Sequence, residues 1–164
     1  MTRYVCFFGG NSQSNNVTVN DFNLFFTITR DVAAVLPGYD WDLITDRLYR
    51  RYLKQDQLDE ATKLMGILRT EFARYPRSQV NWIEHPVEPD YTALNNKLPT
   101  LADIFDPFFP AFDRAVGCAR AHFKIFNQYL AVRIIVAGVE GIIYDNSLKL
   151  DDYENNDGAP FWAR

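Results

Sequence analysis

From Asp106-Pro107 onward the chain carries Phe108, Phe112, Ala115, Ala119, Phe123, Phe126 and Leu130 at intervals that place them on one side of an α-helix. A helix with so large an apolar face must press it against other elements, and truncating one buried Phe to Ala typically costs ~3 to 5 kcal/mol. Asp106 is placed to cap this helix and Pro107 to occupy its first position. Any fold for the chain has to be assembled around this element.

The rest of the chain supplies the partners. Arg3 to Phe8 is rich in β-formers and reads as a strand ending at Gly9-Gly10, followed by a polar loop over 11–16. Phe22, Phe25, Phe26, Val32, Ala33 and Leu36 then fall at helical spacing, with Asn20 able to cap and Pro37-Gly38 to stop a helix over 21–36. Segment 39–54 supports two readings. Trp41, Ile44, Leu48 and Tyr52 share a helical face, whereas Leu48 to Leu53 also resembles a strand with charges on one side. Leu58, Ala61, Leu64, Met65, Leu68 and Phe72 predict another helix, with Asp56, Asp59 and Glu60 early and Arg74 late, as the helix dipole favours.

Residues 77–99 hold Pro86, Pro89 and Pro99 and read as an irregular connection with a short strand at Val80 to Ile83. Thr100 to Phe105 is a short helical stretch. Val132 to Val139 and Gly141 to Tyr144 read as strands, with Leu148 to Leu150 extending the second or starting a third. Late strands without intervening helices argue against a doubly wound parallel sheet. The expected architecture is α+β, with helices packed on a small, mostly antiparallel sheet, in one domain spanning 1–164.

Charge narrows the function. The chain has a formal net charge of −4, which disfavours nucleic acid as a partner. Residues 1–46 sum to −3, residues 47–77 to +4 and residues 78–164 to −5, so the basic side chains concentrate in one block between acidic flanks. A folded protein of this kind steers an oppositely charged protein toward its acidic face. No apolar segment has the ~18 to 20 residues of a membrane span, and the opening stretch is too short for a secretory signal. Cytoplasmic residence without membrane association is therefore expected, with Cys6 and Cys118 as free thiols.

Enzymatic patterns are weak. Cys118 and His122 lie one helical turn apart, but the other Cys and His, Cys6 and His85, complete no metal-ligand spacing. Gly9-Gly10-Asn11-Ser12 lacks the glycine and lysine pattern of a phosphate loop. Asp40, Asp42 and Asp46, and Asp103 with Asp106, are paired carboxylates better explained by capping and solvation. No catalytic residue, metal or cofactor is expected. The basic cluster Arg47, Arg50, Arg51 and Lys54, with Tyr49 and Tyr52, is expected to form salt bridges with the nearby Asp42, Asp46 and Asp56.

Two acidic groups with aromatic companions remain. Asp151, Asp152, Glu154 and Asp157 surround Tyr153, and Glu84, Glu88 and Asp90 lie beside Trp82 and Tyr91. Both fall in predicted loops, where binding residues concentrate, and Tyr and Trp are enriched in interface hot spots. Together Asp151, Asp152, Tyr153, Glu154, Asp157, Glu84, Glu88 and Asp90 form the candidate partner-binding set. Phe161 and Trp162, behind a Gly-Ala-Pro turn, are too apolar for a frayed tail and are expected to pin the acidic stretch to the body.

The block Arg47-Leu48-Tyr49-Arg50-Arg51-Tyr52-Leu53, the helix after it and the ending Gly158-Ala159-Pro160-Phe161-Trp162-Ala163-Arg164 resemble bacterial immunity proteins of polymorphic-toxin and contact-dependent growth inhibition systems. The resemblance lies in layout and two short blocks across most of the chain. It implies a small cytoplasmic protein that binds a cognate toxin domain as a heterodimer and blocks it without a cofactor, a basic nuclease cleft being a suitable target for an acidic surface. No contact residue carries over by motif; the two blocks themselves point to structural roles for Tyr49, Tyr52, Phe161 and Trp162. A small carboxylate-based enzyme and a scaffold or oligomerisation module are the competing readings.

Overall fold

The computed structural model describes residues 3–10, 17–87, 92, 94–137 and 148–164. Its sheet consists of β1 (Tyr4–Phe8), β2 (Val17–Thr18) and β3 (Arg133–Ala137), with β1 in the centre and both neighbours antiparallel to it. Cys6 faces Ile135 across the β1–β3 ladder, and Phe8 faces Arg133. Helices α1 (Val19–Val35) and α4 (Phe108–Phe126) lie against β1, and α2 (Leu58–Phe72) packs on α1, α4 and the short α3 (Leu101–Ile104). A further short helix, α5 (Leu150–Glu154), precedes the terminal turn Phe161–Ala163. The architecture is α+β with a small antiparallel sheet, as the element order predicts.

The core is aromatic. Alternation along β1 sends Phe7 toward the helices, where its ring meets Phe22 at 5.1 Å and Phe112 at 5.6 Å, both edge-on. Phe25 of α1 and Phe108 of α4 stack with ring centroids 4.5 Å apart and planes 7° from parallel. Phe72 of α2 closes the group, 5.8 Å from both Phe25 and Phe105. Gly9 is where β1 comes closest to α4: a Cβ there would lie 2.0 Å from the carbonyl oxygen of Ala115, so only glycine permits this approach.

Several local expectations are corrected. Asn20 does not cap α1; Thr18 does, through a reciprocal box in which Thr18 Oγ1 accepts from Asp21 N and Asp21 Oδ2 accepts from Thr18 N. Asp106 does not cap α4, because its carboxylate pairs with Arg69 at 2.7 Å, and Pro107 precedes the helix with helical torsions rather than opening it. The backbone continues there from α3, with Phe108 N donating to Phe105 O.

The apolar stripe of α4 buries Phe108, Phe112, Ala115 and Ala119, and also Phe109 and Val116, since this helix contacts both β1 and α2. Its far end escapes: Phe123 is half-buried, Phe126 is 66% exposed, and Asn127 in the left-handed region terminates the helix before Leu130.

Val80 to Ile83 is not a strand. Trp82 Nε1 folds back to donate to Arg77 O at 2.7 Å, closing a turn that leaves Ile83 92% exposed. Leu150 begins α5, so Leu148 to Leu150 neither extends a strand nor starts one. The strand expected at Gly141 to Tyr144 and the loop at 11–16 lie outside the described residues. The ambiguous 39–54 segment resolves into a wide π-helical stretch, Leu43–Leu48, followed by an isolated bridge from Leu53 to Val132. The helical reading therefore holds over 42–50, and the strand expected at Leu48 to Leu53 does not form, because the helical turns run past Leu48 and only Leu53 reaches Val132. Among the described residues, no helix is long and apolar enough to cross a membrane.

Burial at the stripe's two ends yields a direct test. Phe108→Ala should lower unfolding free energy by about 3 to 5 kcal/mol, whereas Phe126→Ala should change it by less than about 0.5 kcal/mol. Chemical denaturation of the two variants measures both.

Candidate partner-binding surface

The acidic stretch 151–157 stands free at the surface only in its first part. The sequence from Glu154 to Trp162 is laid along the π-helical stretch and its exit, and its carboxylates meet the basic block there. Arg47 forms a two-pronged pair with Glu154, Nη2 to Oε2 at 2.5 Å and Nη1 to Oε1 at 3.2 Å, and Lys54 Nζ lies 3.7 Å from Oε1. Arg51 Nη2 meets Asp157 Oδ1 at 2.7 Å. Arg50 Nε reaches Asp46 Oδ1, one turn back, at 2.5 Å, and Arg50 also donates to the backbone oxygen of Asp157. The expectation that Asp42 and Asp56 would neutralise this cluster is replaced: Asp46 does so locally, and the remaining charge is matched by Glu154 and Asp157, a hundred or more positions away.

Neutral groups complete the seam. Asn156 is buried, donates to the backbone oxygens of Arg50 and Ala159, and accepts from Gly158 N at 3.0 Å. Trp162 is 2% exposed, wedged 5.5 Å from Phe22 and 5.7 Å from Tyr49, with Nε1 donating to Tyr49 O at 2.7 Å. Phe161 is half-buried, edge-on to Tyr153 at 5.2 Å. The pinning role expected of the two rings is thus visible, carried mainly by Trp162. Tyr153 itself is buried, and Arg133 lies 5.1 Å over its ring.

Of the candidate partner-binding set, the structure consequently separates two groups. Glu154 and Asp157 engage arginines of the same chain and Tyr153 packs inward. Asp151, Asp152 and Glu84 are exposed, with Asp152 Oδ2 accepting from Lys149 N at the start of α5. Glu88, Asp90 and Tyr91 lie outside the described residues. Trp82 is half-buried in its own turn.

Several of the groups with enzymatic potential are occupied structurally, whereas Asp40 and Asp42 are exposed and have no ion pair among the described residues. Asp46 and Asp106 sit in ion pairs, and Asp103 accepts from Thr100 Oγ1 in the cap of α3. Burial pushes the Cys6 thiol up to about 12, far from the thiolate needed for nucleophilic or metal chemistry. The Tyr129 hydroxyl, donating to Leu53 O, is likewise raised to about 12 by burial. His122 Nδ1 lies 3.0 Å from Gln128 O with its ring 4.7 Å from Phe126. Among the described residues, no three His, Cys, Asp or Glu side chains gather to hold a metal.

Sequence reading missed the long-range pairing of Glu154 and Asp157. Its only trace was the opposition of a +4 block to a −5 flank. It also passed over Asp31, an exposed carboxylate on α1 lining an apolar groove. No protein-family model matches the chain, and no curated protein or solved structure matches it.

Hydrogen bonds from Arg47 hold the Glu154 carboxyl below its ordinary value of 4.5. A lowered folded-state value means that its contribution is complete above pH 4.5 and is lost as the pH falls through the lower folded value. Glu154→Gln should therefore flatten the acid limb of the stability profile and cost about 1 to 2 kcal/mol near neutrality, as expected for a two-pronged charged hydrogen bond. Asp157→Asn, at a carboxylate 84% exposed, should cost less than about 0.5 kcal/mol. Denaturation of both variants between pH 2 and 7 measures the contrast.

Proposed function

We propose that this chain is an immunity protein that binds a cognate toxin domain in the cytoplasm and occludes its active-site cleft, forming a heterodimer and requiring no cofactor. The observation that carries this reading is the disposition of charge. Arg47, Arg50, Arg51, Arg69, Arg74 and Arg120 are each paired with a carboxylate of the same chain. The surplus of the net −4 is then left on exposed carboxylates such as Asp40, Asp42, Asp56, Glu84, Asp113 and Asp151, none of which has an ion pair among the described residues. Exposed cations such as Lys63, Lys97 and Lys124 remain as well, so it is the net charge of −4, carried on outward-facing carboxylates, that favours basic surfaces and disfavours phosphate backbones.

The target most consistent with this is a toxin domain with a basic cleft, as in a nuclease. Association with it is accelerated by long-range attraction, to ~10⁸ to 10⁹ M⁻¹s⁻¹ at low salt for strongly complementary pairs. Paired Asp46 and Asp106, and Asp103 held in a cap, add support to a binding role over the competing carboxylate enzyme, because only Asp40 and Asp42 of its five candidate carboxylates are without structural work. Asp151, Asp152 and Glu84 form the contact set under this reading, with Glu154 and Asp157 supporting the fold beneath.

A toxin gene should lie directly upstream of this chain's gene, co-expression of the two should restore growth, and the purified proteins should co-elute as a 1:1 complex. The double variant Asp151→Lys/Glu84→Lys should weaken binding about tenfold, mainly through slower association and a shallower salt dependence. Toxin activity undiminished by excess chain would overturn the proposal.

A further inference from the structure

The geometry points to the groove beside the end of α1 as the socket for a lysine or arginine side chain of the toxin domain, an inference that rests on the inhibitory function proposed above. The groove has a volume of about 340 Å³. Ile28, Val32 and Val35 supply its α1 wall, and Tyr75 and Val80 lie across from them. Asp31 lines the same groove and is exposed. This is the arrangement that accommodates a long cationic side chain, whose methylene stem covers apolar surface while its charged head stays near water and meets a carboxylate.

Two independent features make the site attract a cation. Asp31 has no ion pair or side-chain hydrogen bond among the described residues, and Val35, at the last position of α1, is 61% exposed. The second feature is the helix itself. α1 ends at Val35 with no basic residue in its last turn; the Trp41 indole N–H donates to the Leu36 carbonyl at its C-cap, but no charged side chain of that turn offsets the negative pole, and Asp31 just before the turn adds to it. A carboxylate here works against the stability of its own helix. An incoming guanidinium or ammonium group relieves both the carboxylate and the pole, so the free protein holds an unmet demand for positive charge at this spot. Gln79 and Tyr75 also line the groove, and both side chains carry polar groups.

The test measures affinity for the toxin domain and thermal stability together. Asp31→Lys should raise Kd at least tenfold while Tm stays level or rises by about 1 to 3 °C, because the substitution suits the helix end. Asp31→Asn should weaken binding to a lesser degree, and Asp31→Glu should bind within about threefold of the parent. A purely structural role for Asp31 would instead lower Tm in step with affinity, and that result overturns the inference. Tight toxin binding by the parent chain, unchanged in Asp31→Lys, would remove the groove from the interface and leave the inhibitory function standing. No toxin binding by the parent chain would remove both. Should n-butylguanidine bind the parent saturably at micromolar concentration while Asp31→Lys still binds toxin normally, the groove serves a small amine and the inference fails.

Discussion

The structure depends on one large ring finding a fully enclosed seat. Trp162 inserts among Phe22, Phe26 and Tyr49 and satisfies its single donor on Tyr49 O. An indole buries a large apolar area, and the bond to Tyr49 removes the cost of sealing its N–H away from water. Because Tyr49 directly follows the π-helical stretch and Trp162 lies just beyond the acidic one, seating the ring brings the two segments side by side. Their electrostatic pairing follows from a hydrophobic event.

The π-helical stretch from Leu43 to Leu48 sets up the other side of this seam. Leu43, Ile44 and Leu48 turn inward, while Asp46 and Arg47, with Arg50 and Arg51 just beyond, come to its polar side. Wide helical turns are rare and are frequently associated with function. Here the turn places three guanidinium groups within reach of Glu154, Asp157 and Asp46. Such pairs contribute modestly to stability when exposed. They neutralise the basic block locally together with three carboxylates, so the net negative charge of the surface is carried by side chains outside this seam.

Fold class was legible because periodicity reports burial. The Phe22, Phe25 and Phe26 face, the Leu58 to Phe72 repeat and the first half of the α4 stripe all pack inward as their spacing predicts. Where prediction went astray, a competing bond decided the matter. Thr18 took the cap from Asn20, Arg69 drew off the Asp106 carboxylate, and the Trp82 indole folded the expected strand into a turn. At the candidate site, the spacing gave no sign that Glu154 and Asp157 would pair within the chain. Tyr153 and Glu154 sit in a stretch that looks exposed and interactive, yet a buried ring and a paired carboxylate have the same local signature as free ones.

Taken alone, the amino-acid order determined an α+β body, its aromatic core, its acidic surplus and the need to anchor Phe161 and Trp162, because each of these depends on neighbours within a few turns or on composition. Only the tertiary structure decided which carboxylates oppose which arginines and which remain outside. It also decided that Asp31 would share a groove with Val35, Tyr75 and Val80 at a helix end with no basic residue in its last turn. The physical reason is range. Helical period and hydrophobicity act between close neighbours in the chain, whereas ion pairing and groove formation need groups that are remote in sequence to meet, and that meeting is set by how the core closes.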